Sequence, residues 1–166
     1  MARTRKTPKS WIDAGLSALK KVGAEGLKAE SLARDIGTTK GSFYWHFKDV
    51  PAYQAAVLDT WADAAQSRFD AVVASSDTPL GQLRALGGYH QSSLDRAVRG
   101  WAVHDKSARK AVSGLDRHMT ATIKDLLTDQ GATHPDFPGL VHAAMMSGTA
   151  KNTQAETLID LLLVLK

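Results

Sequence analysis

Residues 38–48, Thr-Thr-Lys-Gly-Ser-Phe-Tyr-Trp-His-Phe-Lys, carry the densest set of groups able to grip a polyanion. Thr38, Thr39, Lys40, Gly41 and Ser42 are small, hydroxylated or cationic. Such residues let a backbone come close to a phosphate strand, and their hydroxyls suit phosphate oxygens. Tyr44, Trp45, His46 and Lys48 follow within one or two turns and add a phenol, an indole, an imidazole and an ammonium. The opposing reading is that these aromatics close a small helical core; it fits Phe43 and Phe47 best.

Other chemistries lack their patterns. The chain has no cysteine, which excludes a disulfide scaffold, a thiolate zinc site and a thiol nucleophile. Its six histidines (46, 90, 104, 118, 134 and 142) include no His-Glu-x-x-His spacing. There is no Gly-x-Ser-x-Gly elbow, no Gly-x-x-x-x-Gly-Lys phosphate loop and no Gly-x-Gly-x-x-Gly fingerprint. We therefore expect no enzyme activity, no catalytic residue, no metal and no cofactor.

The elements that position this segment read as helices throughout. Ser10 looks like the start of a first helix, through a Ser-Trp-Ile-Asp capping box, with Ile12, Gly15, Leu16 and Leu19 on one stripe and Gly23 and Gly26 at its end. Leu32, Ala33 and Ile36 place a short helix over 29–36, and Gly37 stops it. Thr39 caps a third helix over 40–47, and Asp49 caps a long fourth one running to about Ser75. Two short helices joined by a turn that opens on glycine are the layout of a helix-turn-helix. Beyond Thr78-Pro79 the pattern is coarser: a helix from Pro79 to about Val98 with a kink at Gly87-Gly88, a short one over 107–112, another over 115–130, and two last helices ending at Ser147 and Lys166. The fold class expected is all-α.

Charge divides the chain in the same place. Residues 1–48 hold ten Lys and Arg against four Asp and Glu, whereas 49–166 hold eleven against thirteen. The positive field thus belongs to the first 48 residues, which include a basic arm over 1–9. The longest apolar run, Leu161–Leu165, is far too short to span a bilayer. Met1 to Ser10 leads into no apolar stretch, so no secretory signal and no membrane role are expected.

The stretch from Gly26 to Lys48 resembles the tetracycline-repressor (TetR) family of bacterial transcriptional regulators, and Ile12, Leu16 and Leu19 fit its first helix. Lys28 stands where that family often has a phosphate-contacting Thr, and Val50 where it often has Lys. The resemblance implies an N-terminal helix-turn-helix unit (1–48) and a C-terminal ligand-binding and dimerisation domain (49–166). Thr39 would cap the recognition helix and touch phosphate. Lys40 and Ser42, with Thr38 beside them and Gly41 allowing close approach, would read bases. Tyr44 and His46 would reach phosphate, with Trp45 between them and Lys28 and Lys48 adding charge. The implied protein is a cytoplasmic, ligand-responsive regulator, more often a repressor. It would bind a pseudo-palindromic double-stranded operator as a homodimer, and a small molecule would release it by changing the separation of the two DNA units. The alternative is a dimeric helical module that has lost DNA binding.

One helix-turn-helix covers a half-site, so a two-fold dimer is needed. His142, Met146, Leu158, Leu161, Leu162 and Leu165 are the candidate interface, because two terminal helices are too apolar to hide alone. Trp61, Tyr89, Trp101, His104, Met119 and Met145 are the candidates to line a pocket for an unidentified effector.

Overall fold

The computed structural model describes residues 6–147 and 153–164. Its elements are α1 (Pro8–Val22), a 3₁₀ turn (Gly23–Gly26), α2 (Ala29–Asp35), α3 (Lys40–His46), α4 (Val50–Val73), α5 (Pro79–Gly87), α6 (Ser93–Ala102), α7 (Lys106–Asp129), α8 (Phe137–Ser147) and α9 (Thr153–Val164). No strand occurs among the described residues, so the chain is all-α as expected.

Two compact units divide the residues. One takes the chain up to Asp63 together with Ser93–Val112; the other takes Ala64–Ser92 and the chain from Ser113 onward.

In the first unit, α1 begins three residues earlier than the Ser10 start. Thr7 is the cap: its hydroxyl accepts from the Ser10 amide, Ser10 answers at the Thr7 amide, and Pro8 fills the first helical position. Ser10 is therefore the third residue of the capping box, not its cap. Thr-Pro supplies a better start than Ser-Trp, because proline has its φ preset and no amide to leave unpaired. Trp11, Gly15, Ala18 and Leu19 form the buried stripe of α1. Rings then close the core. Trp11 meets Phe43 edge-on at 5.3 Å, Phe43 meets Tyr53 at 5.1 Å, and Phe47 meets Tyr53 at 4.9 Å. The Tyr53 hydroxyl donates to the Trp11 carbonyl at 2.7 Å, and burial raises its pKa well above the ordinary phenol value. Gly15 is what makes room, since a β-carbon there would overlap the Tyr53 hydroxyl. Farther along α4, the buried indole of Trp61 donates to Asp95 of α6 at 2.9 Å.

In the second unit, α9 packs on α5 and α8, with Ala155, Ile159 and Leu162 facing inward. Phe69 lies edge-on to both Tyr89 and His118, and the His118 ring nitrogen meets the Asp70 carboxylate at 2.7 Å.

Beyond Thr78, two helix breaks differ from the sequence expectation. The helix from Pro79 is not kinked but ends, with Gly88 as its cap, and α6 starts anew at Ser93. The expected break near Ser113-Gly114 is absent: α7 is continuous from Lys106 to Asp129. Glycine inside a helix costs about 1 kcal/mol. The unbroken buried series Ala108, Val112, Leu115, Met119, Ile123 and Leu127 outweighs that. Lys166, the expected end of the C-terminal helix, lies outside the described residues.

Gly15→Ala should lower stability by about 1–3 kcal/mol, despite alanine's better helix propensity, because the added methyl displaces the Tyr53 hydroxyl. Tyr53→Phe in the same chain should recover part of the loss. Urea denaturation of the two variants and the double variant measures both effects.

Candidate nucleic-acid interface

The turn between α2 and α3 is built by backbone chemistry. Gly37 adopts a φ of 66°, in the left-handed region. The Thr38 amide donates back to the Ala33 carbonyl at 2.8 Å and the Gly37 amide to Arg34 at 3.2 Å, the paired bonds of a Schellman ending. Thr39 then starts α3 as its N-cap, its hydroxyl accepting from the Ser42 amide at 3.3 Å. Leu32 and Ala33 of α2 and Phe43 of α3 are buried, and these hold the two short helices together.

With Phe43 and Phe47 turned inward, helical periodicity turns their neighbours outward. Tyr44 is 48% exposed and Trp45 75%. Lys40, Gly41 and Lys48 are also exposed, as is Thr39, while Thr38 and Ser42 are half-buried at the start of the helix. The alternative reading of Tyr44 and Trp45 as core aromatics therefore does not hold for either; it holds for Phe43 and Phe47. Lys40, Tyr44 and Trp45 share the open side of one seven-residue helix.

Two cations are matched by carboxylates that sequence reasoning passed over. Lys40 donates to Glu30 at 2.7 Å, and Lys28 meets Glu25 at 2.8 Å. Within each pair the hydrogen bond and the opposite charge hold the carboxyl below its ordinary pKa and the ammonium above it. No spacing rule links positions 30 and 40, which meet only because the turn folds α3 back on α2. Glu25 and Lys28, three residues apart, were within reach of a local rule. Lys28 caps α2 with its backbone alone, and its side chain makes no cap. His46 is half-buried and its Nε2–H donates to the Lys6 carbonyl at 2.8 Å, tying the segment before α1 to the end of α3. Of the basic arm, residues 1–5, with Arg3 and Arg5, lie outside the described residues.

The six candidate pocket residues do not gather at one recess. Trp101 and His104 line one of about 690 Å³ in the first unit, together with Gly23, Lys28, Gln54 and Ala97. Tyr89 lines another of about 220 Å³ in the second unit, with Arg68, Val72 and His90. Trp61, Met119 and Met145 are fully buried core residues.

The candidate interface residues divide as well. Leu162 is buried inside its own unit, against the expectation that it faces a partner, because it continues the Ala155–Ile159 stripe that covers α5 and α8. His142 is half-buried and lies 3.2 Å from the Asp116 carboxylate, and Met146 and Leu158 are half-buried. Leu161 is exposed. Leu165 lies outside the described residues. Val164 of α9, within the apolar run Leu161–Leu165, is exposed, as is Leu140 of α8, which the sequence reading did not single out.

Among the described residues, no cluster of His, Asp and Glu could hold a metal ion, and no helix is long and apolar enough to cross a membrane.

Residues 12–49 match the family of bacterial regulatory proteins, tetR family. The chain is 36% identical over 61 residues to the tetracycline repressor protein class A from transposon 1721 of Escherichia coli. That stretch is 37% of this chain and 26% of the repressor, so the match spans about a quarter of the relative's length. The whole chain is similar in fold to a transcriptional regulator from Rhodococcus sp. Rha1, with a TM-score of 0.71 at 17% identity over 96% of this chain and 95% of that one. It is similar also to the multidrug binding protein EbrR, solved with imidazole, with a TM-score of 0.64 at 18% identity over 98% and 93% of the two chains.

Thr39→Ala should remove the cap of α3 and cost about 1 kcal/mol, read as a lower urea midpoint of the whole chain.

Proposed function

We propose that this chain, whose residues 12–49 match the tetR family of bacterial regulatory proteins, is a DNA-binding transcriptional regulator that acts as a homodimer and responds to a small molecule. One observation carries the DNA-binding part. α3 is anchored by Phe43 and Phe47, and it presents Lys40, Tyr44 and Trp45 on its open side. A short helix that is locked from behind and open in front can enter a major groove with its first residues leading. In this reading residues 1–48 contact the operator. Lys40, Ser42 and Thr38 meet base edges across the close-approaching Gly41. Thr39, Tyr44 and Lys48 meet phosphate, with Lys28 and Trp45 at the flanks. His46 acts first as the anchor of the N-terminal segment.

Residues 49–166 supply dimerisation and effector response. The exposed apolar positions Leu140, Leu161 and Val164 on α8 and α9 support a partner face there. A two-fold pair matches a pseudo-palindromic operator. The recess beside Trp101 and His104 has the size of a small-molecule site, and the likeness to a multidrug binding protein supports an effector. Its binding lowers operator affinity by its preference for the conformer that does not fit DNA, and by no more than that preference. Repression is the default output of such a device, since a bound dimer obstructs the promoter it covers.

Gel shift of the chain on its own upstream DNA should show a complex that weakens steeply with salt. Lys40→Ala with Tyr44→Phe should weaken it at least about tenfold and flatten the salt dependence. Unchanged affinity in the double variant would remove α3 from the interface. Leu161→Arg should shift the chain from dimer to monomer in sedimentation and weaken operator binding with it.

A further inference from the structure

We propose that Glu30 determines sequence specificity: with Lys40 it reads one G·C base pair, Lys40 donating to guanine and Glu30 accepting from cytosine. The inference rests on the DNA-binding reading above and adds to it a residue on α2.

Glu30 lies in the first turn of α2 and Lys40 opens α3. Their heads meet at 2.7 Å, yet the side chains stay 73% and 52% exposed. Packing does not require the pair, because Leu32, Ala33 and Phe43 and the Gly37 turn already join the helices. An exposed ion pair adds little to stability. Beside DNA, however, a carboxylate has large consequences. It is repelled by phosphate, and the floor of the major groove offers mostly acceptors: guanine N7 and O6, adenine N7 and thymine O4. Only cytosine N4 and adenine N6 carry donors there. A carboxylate at the leading edge therefore penalises every base pair that does not bring it an amino group.

The ammonium beside it has the opposite requirement. One of its three protons is on Glu30, which leaves two for acceptors on a base. Side by side, the two heads present a donor next to an acceptor, 2.7 Å apart. The major-groove edge of a G·C pair presents the complement. Guanine O6 accepts from cytosine N4 within the pair, so the two atoms are separated by a hydrogen-bond distance, ~2.9 Å. Guanine N7 takes the remaining lysine proton. A reversed C·G pair sets amino against ammonium and carbonyl against carboxylate. A T·A pair keeps the donor and acceptor order, but it lacks the second acceptor and places a methyl group beside thymine O4. An A·T pair offers adenine N7 to the ammonium and N6 to the carboxylate, but it too lacks a second acceptor on the lysine side. Lys40 alone would favour guanine; Glu30 adds the rejection of C·G, and the second lysine proton separates G·C from A·T and T·A.

Selection of binding sites from randomised duplexes tests this, using the full chain and its Glu30→Ala and Lys40→Ala variants, with circular dichroism to establish that each is folded. The wild-type chain should fix one G·C position in each half-site. Glu30→Ala should keep the remainder of the site, relax that position by about tenfold or more, and bind unrelated DNA more tightly. Lys40→Ala should relax the same position and weaken binding to all sites. A Glu30→Ala chain with unchanged preferences at every position overturns the inference and leaves the DNA-binding reading standing. A wild-type chain that enriches no sequence overturns that reading, and the inference with it.

Discussion

The proposed nucleic-acid face depends on one buried contact set, the rings of Trp11, Phe43, Phe47 and Tyr53 closed by the Tyr53 hydroxyl on the Trp11 carbonyl. α3 has only seven residues, too few to persist in water alone. Its existence and its rotation about its own axis come from the two phenylalanines it gives to that cluster. Rotation is the functional variable: with Phe43 and Phe47 inside, Tyr44 and Trp45 have nowhere to go but outward. Gly15 belongs to the same constraint, since the phenol reaches α1 only where a β-carbon is missing.

Around this rigid base the charges are arranged in pairs rather than as a free positive sheet. Lys28 and Lys40, both among the residues proposed to face DNA, each hold a carboxylate partner in the folded chain. The surplus of positive charge in residues 1–48, ten Lys and Arg against four Asp and Glu, gives a polyanion attraction at long range. Local pairing then decides how much of each ammonium is left for a phosphate or a base. In the proposed reading attraction and discrimination are separable, one set by net charge and the other by which carboxylate stands where.

Most of the site was legible because its signals are local. Gly37 as the left-handed turn, Thr39 and Asp49 as caps and the Thr78-Pro79 start all involve partners within four residues in sequence, and all four form. The apolar spacing of α2 and α3 was equally readable, since helical period alone sets which side chains share a face. The Thr7-Pro8 start was no less local than Thr78-Pro79, but the neighbouring Ser10 offered a rival cap of the same chemistry.

What the amino-acid order determined by itself is the all-helical class and the helix-turn-helix. Those follow from backbone conformational preference and from periodicities of a few residues. Tertiary structure alone decided the outward turn of Trp45, the Glu30–Lys40 contact, the inward turn of Leu162, the continuity of α7 through Gly114 and the break after Gly87. Each depends on which distant surface a side chain or a helix end meets. Such a meeting leaves no mark in the spacing of neighbours.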